Sequence, residues 1–126
     1  MKSPSTVYIV QAPRASVSGH NIDLSSAADF GRIEFLLPSY SQPSLDPQKA
    51  LEALRRGLAN FGPDDYIASV GGDPAGIFLA GIVLPEMCEG PIKWLRWERH
   101  RDKGGNRDGT GFYIPTEIDL GYDDEE

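Results

Sequence analysis

Tyr66-Ile67-Ala68-Ser69-Val70-Gly71-Gly72-Asp73-Pro74 runs directly into Ala75-Gly76-Ile77-Phe78-Leu79-Ala80-Gly81-Ile82-Val83-Leu84. Tyr66 to Val70 has the length and composition of a buried strand, and the paired glycines mark a turn. Asp73-Pro74 then opens a helix: the carboxylate can accept from an early backbone N–H, and proline at the first helical position gives up a donor that would be unpaired anyway. The same pair recurs at Asp46-Pro47, ahead of Leu51, Leu54, Leu58 and Phe61. Spacings of 3, 4 and 3 put those four side chains on one helical face, and Asn60 with Gly62-Pro63 ends the helix. Helix, strand, helix in this order requires crossover connections, hence parallel strands.

The segment from Ala75 to Leu84 carries no charge on any side. A helix that is apolar all round is expected to be covered on more than one face. Gly76 and Ala80 would admit another backbone, and Pro85 is expected to close the helix.

Upstream, Val7 to Val10 and Arg32 to Leu37 read as strands, each followed by proline. Arg14 to Asp29 shows no apolar period and reads as a loop, and the Pro- and Ser-rich residues 38–47 form an extended connection. Downstream, Ile92 to Arg99 and Phe112 to Ile118 read as a hairpin joined by the polar, glycine-rich loop from Arg101 to Gly111. Pro115 cannot donate to a ladder, which places its strand at a sheet edge. The expected architecture is a small α/β domain over residues 1–120, in the order β-β-α-β-α-β-β. Its mixed sheet has a parallel centre and a C-terminal antiparallel hairpin, and residues 121–126 form an acidic tail.

The chain has 126 residues, 40% hydrophobic and 25% charged, which fits one globular domain and excludes a disordered chain or a coiled coil. Nineteen acidic against 12 basic residues give a formal charge of −7. Half of the Lys and Arg (Lys93, Arg96, Arg99, Arg101, Lys103 and Arg107) fall in one stretch beside Trp94 and Trp97. Through residue 108 those six face Glu98, Asp102 and Asp108, a balance of +3; the remaining 6 basic and 16 acidic residues leave −10 elsewhere. A basic, indole-bearing hairpin could stack on single-stranded nucleic acid, but the anionic bulk opposes this. Trp and Arg are equally the anchors of protein interfaces. On that ground Trp94, Arg96, Trp97 and Arg99 are the candidate protein-binding residues.

Gly71, Gly72 and Asp73 are the alternative, as a nucleotide or phosphate site at the end of a strand and the start of a helix. Against it, the turn carries a carboxylate and a proline, and neither G-x-x-x-x-G-K-[ST] nor G-x-G-x-x-G occurs. Ser69 is outside any G-x-S-x-G elbow, and Cys88, His20 and His100 have no spacing that suggests a dyad or a metal site. No catalytic residue, metal ligand or cofactor is expected, which points away from an enzyme. The apolar runs are too short for a signal peptide or for the roughly 20 residues of a membrane span. With a lone cysteine, this gives the cytoplasm as the expected compartment.

The succession Asp64-Asp65-Tyr66-Ile67, Val70-Gly71-Gly72-Asp73-Pro74, Ile92-Lys93-Trp94-Leu95-Arg96-Trp97-Glu98-Arg99, Tyr113-Ile114-Pro115 and Ile118-Asp119-Leu120 resembles small accessory proteins of bacteriophages and prophages. The resemblance covers about residues 46 to 120. It implies a viral protein made in a bacterial cell and carries over no catalytic residue. The expected partner is a host or viral protein, with a homo-oligomer as a further option and nucleic acid and membranes disfavoured.

Overall fold

A computed structural model of the chain describes residues 5–13, 24–70, 73–101 and 107–119. Strands β1 (Thr6–Gln11), β2 (Arg32–Leu37), β3 (Tyr66–Ala68), β4 (Ile92–Arg101) and β5 (Arg107–Ile118) form one sheet in the order β2-β1-β3-β4-β5. The pairs β1–β2, β1–β3 and β3–β4 are parallel, and β4–β5 is antiparallel. The helices are α1 (Ser25–Ala28), α2 (Pro47–Gly57) and α3 (Pro74–Met87). The expected α/β class, parallel centre, C-terminal hairpin and edge position of the Pro115 strand all hold.

Alternation along β1 builds two cores. Tyr8 and Val10 point to one face, where Leu54, Leu58, Phe61, Leu79, Val83 and Leu84 bring in α2 and α3. Val7 and Ile9 point to the other, against Ala27 of α1, Ala68, Leu95 and Tyr113. Both sides of β1 are buried, as a central parallel strand requires. The chain leaves β1 for β2 through α1 on one face, then travels back across the sheet through α2 and α3 on the other. Right-handed crossovers in opposite directions need opposite faces, so the direction of winding reverses between β1 and β3.

Several expectations change. The 14–29 loop contains α1, whose Ser26 Oγ accepts from the Tyr113 N–H at 3.1 Å and so fastens it to the edge strand. A four-residue helix has too few turns to show a period, so tertiary contact rather than pattern defines it. The hairpin strands run on past Arg99, with a register shift before Arg101 pairs with Arg107, so the connection is shorter than Arg101 to Gly111. Close approach explains Gly111: a Cβ there would lie 2.5 Å from the Trp97 ring, and nearer still to the Glu98 carbonyl oxygen. β3 ends at Ala68 rather than Val70.

Pro85 does not close α3, which continues to Met87. It sits in the last turns, and the one backbone bond it forgoes would have gone to exposed Gly81, whose carbonyl water can reach. Nor is α3 covered on more than one face. Gly76, Leu79, Ala80, Val83 and Leu84 are buried, while Ile77, Phe78 and Ile82 are 44%, 70% and 44% exposed.

Candidate functional site

Gly71 and Gly72 lie outside the described residues, but Asp73 defines the turn after β3. Its carboxylate accepts from the Ser44 N–H at 2.8 Å, the Ser44 hydroxyl at 2.5 Å and the Ala75 N–H at 3.0 Å. The hydroxyl of Ser44, then the two backbone N–H groups, hold this carboxyl below the usual range. The chain's own anion therefore occupies the amino terminus of α3, where a phosphate would dock. The sign of the pH effect follows. A depressed carboxyl pKa adds stability above the unfolded value of 3.8 that is lost as pH falls through the lower folded value. Asp73→Asn should flatten the acid limb of a pH-melting curve below about pH 4 and leave its shape at neutral pH alone. An unchanged acid limb would deny Asp73 this role.

Gln11 organises the same end of the sheet. It is 4% exposed, and its Nε2 donates to the carbonyls of Ser41 at 2.7 Å, Pro38 at 3.2 Å and Ser39 at 3.4 Å. Its Oε1 accepts from the Asp73 N–H at 3.1 Å. One side chain thus joins the ends of β1 and β2 to the start of α3. Above it opens a cleft of about 680 Å³, bordered by Gln11, Ser39, Ser41, Ser44, Leu45, Val70 and Asp73. Sequence reading named Asp73 but missed Gln11 and the serines. A glutamine at a strand end gives no signal until its neighbours are known.

The four hairpin candidates do not share a surface. Trp94 packs against the core beneath α2 and α3, whereas Trp97 packs on the opposite face, its ring 5.0 Å from that of Tyr113. Arg96 lies on the Trp94 side and is bonded to Glu98. Of Arg99 the structure describes the backbone alone. Lys93 turns to the Trp97 side, over Tyr66 at 5.5 Å and 3.9 Å from Asp64. Asp64 and Asp65 lie in a turn, where the Asp65 N–H donates to the Gly62 carbonyl at 3.1 Å. The Asp65 carboxylate accepts from the N–H groups of Gly62 and Thr6, each at 2.9 Å, and anchors the start of β1.

What the sequence left undecided is the outer face of α3. Ile77, Phe78, Gly81 and Ile82 form an uncharged stripe along it, and a Cβ at Gly81 would meet nothing within 4 Å. Gly76, by contrast, has neighbours inside the fold: a Cβ there would touch Val10, Leu37 and Pro43 at 3.4–3.6 Å. On the same side of the sheet, β4 and β5 present Trp94, Arg96, Phe112 and Ile118. Phe112 is 37% and Ile118 42% exposed. The far end of α3 is held to α2 by a forked pair, Arg55 Nε to Glu86 Oε1 at 3.1 Å and Nη2 to Oε2 at 3.0 Å.

Among the described residues no group of three His, Cys, Asp or Glu side chains could hold a metal, and no helix is long and apolar enough to cross a membrane. Cys88 is a buried packing residue at the end of α3, and His20 lies outside the described residues.

Neither the curated proteins nor the solved structures contain a match to this chain. The family comparison does. Residues 5–106, from the first strand through β4, match the profile of the phage Pam3 gp32-like proteins. With most of its length covered, the chain belongs to the phage Pam3 gp32-like protein family.

Proposed function

We propose that this phage-family protein works by binding another protein, of the virus or of its bacterial host, through the outer face of α3. The observation that carries the reading is the exposed stripe of Ile77, Phe78 and Ile82 on the part of α3, Ala75 to Leu84, that carries no charge. A surface helix of a monomer normally presents polar residues to water, and contiguous apolar surface is the mark of an interaction site. Gly81 supports it from another direction. Glycine inside a helix costs roughly 0.5–1 kcal/mol relative to alanine, and here no neighbour in the fold needs the space. A partner that approaches the helix backbone closely would use it.

Net charge selects the kind of partner. Two copies carrying −7 each repel, whereas a protein with an apolar knob and a basic rim is attracted to the same surface. Trp94 and Arg96, on the α3 side of the hairpin, can extend the contact. Trp97 faces away and belongs to the core.

Phe78→Asp is the direct test. The residue is 70% exposed, so folding stability should change by about 0.5 kcal/mol or less. Binding to a purified partner recovered from infected cells should weaken by about 2 kcal/mol or more, roughly thirtyfold, if Phe78 is an interface anchor. Titration calorimetry measures this, with sedimentation of the protein alone as its companion. Equal affinity in wild type and variant would remove the α3 face from the contact. A wild-type dimer that Phe78→Asp dissociates would make the occupant a second copy instead.

A further inference from the structure

The cleft at the carboxyl ends of β1, β2 and β3 lies apart from the α3 face and has a chemistry of its own. We propose that it binds a small uncharged molecule through the neighbouring hydroxyls of a sugar ring, free or within a nucleoside, and disfavours the phosphorylated form. Position is the first argument. The winding of the sheet reverses between β1 and β3, and open α/β sheets bind ligands in the crevice outside the strand ends at such a point. Size is the second: about 680 Å³ falls within the roughly 300–1,000 Å³ of small-molecule sites.

The lining supplies the third. Ser41 and Gln42 offer hydroxyl and amide groups, while Leu45 and Val70 offer apolar surface to the body of a ring. None of the described lining residues is Lys or Arg, and the one charged side chain is Asp73. A carboxylate accepts from hydroxyls and repels phosphate. The α3 amino terminus, the usual remedy for phosphate charge, is already occupied by that carboxylate. The wall is also built in advance. Gln11 ties the 38–41 backbone to β1 through Pro38, Ser39 and Ser41, and Ser44, which also lines the cleft, is bonded to Asp73.

The test is an amide-resolved NMR titration of the whole chain with adenosine, ribose and glucose, each to about 10 mM so that millimolar affinity registers. Adenosine monophosphate runs in parallel. Saturable shifts at residues 39–45 and 70 are expected with at least one of the three neutral probes. Adenosine alone would identify a nucleoside site, and ribose or glucose a sugar site. Binding of the monophosphate should be at least about tenfold weaker than that of adenosine where adenosine binds, and absent otherwise. Ser41→Tyr fills the cleft and Leu45→Glu alters its exposed rim; either should weaken binding about tenfold. Leu45 is 79% exposed, so its variant will fold even if the Ser41 variant does not. Absence of saturable shifts with all three neutral probes overturns the proposal. So does a monophosphate that binds as well as adenosine, or affinity untouched by substitution in a folded variant.

Discussion

Leu54→Ala is expected to lower the free energy of unfolding by about 2–5 kcal/mol, the range for a large side chain removed from a closed core. Leu54 is fully buried, as is Leu58 one turn further on, and both lie among Tyr8, Val10, Val83 and Leu84. The cavity would open between α2 and the sheet, where α3 already presses from the side. The loss comes from the vanished methyl groups and from a hole that this neighbourhood can only partly close. Leu51 lies on the same stripe but is only partly buried, and its alanine variant should cost clearly less. Urea denaturation of the two variants measures the difference, provided that the slopes agree with wild type. Equal losses at both positions would mean that burial along this helix is not graded as described.

Gln11→Ala should cost about 2–4 kcal/mol, although it removes no apolar volume from either core. The backbone carbonyls of Pro38, Ser39 and Ser41 lose their shared donor, and the Asp73 N–H loses its acceptor. Groups that water reaches only in part are expensive to leave unpaired. Gln11→Glu makes the sharper comparison. It keeps the shape but replaces the N–H donor with a second acceptor facing carbonyl oxygens, so it should be no better than alanine at neutral pH. Hydrogen exchange should show the damage concentrated in residues 38–45, with the helices protected as before. A Gln11→Glu variant as stable as wild type would mean that this side chain does not fasten the loop.

The parts of the fold that were legible in the sequence are those where one local signal and one long-range need agree. Asp46-Pro47 and Asp73-Pro74 announce helix starts, and in each the aspartate does cap: Asp46 accepts from the Lys49 N–H at 3.2 Å, and Asp73 from Ala75. Pro115 names an edge strand because proline has no donor to give. The stripe from Leu51 to Phe61 marks the side that packs on the core, although α2 itself stops at Gly57, short of the Asn60 and Gly62-Pro63 stop, and Leu58 and Phe61 reach the core from its cap and the turn beyond. Where the local signal is weak, reading fails. Ser25 to Ala28 has no period to detect, and its placement depends on Tyr113, 87 positions away from Ser26. The apolar helix misled for a different reason. Composition tells that its surface must meet apolar groups, but not whether those groups belong to the same chain. The candidate sites divide likewise. Asp73 was visible because a capping residue reports itself, whereas Gln11 acts only through three carbonyls brought from another loop. Alternation along β4 sets Trp94 and Trp97 on opposite faces, and it prevents the four hairpin residues from acting together.

An interior strand of the sheet, β1, is made before either of its neighbours. β1 needs β2 on one side, with Thr6 opposite Arg32, and β3 on the other, with Ile9 opposite Ala68. Neither neighbour is local, so the growing polypeptide must hold an apolar strand with both edges open until residues through Ala68 have been translated. The hairpin of β4 and β5 pairs with little loop closure but is made last. The order of synthesis and the order of easy pairing therefore run in opposite directions. Exposed parallel strands awaiting distant partners are prone to aggregate. High-level expression should accordingly favour slow translation or low temperature, with the nascent amino-terminal half as the segment most in need of a chaperone.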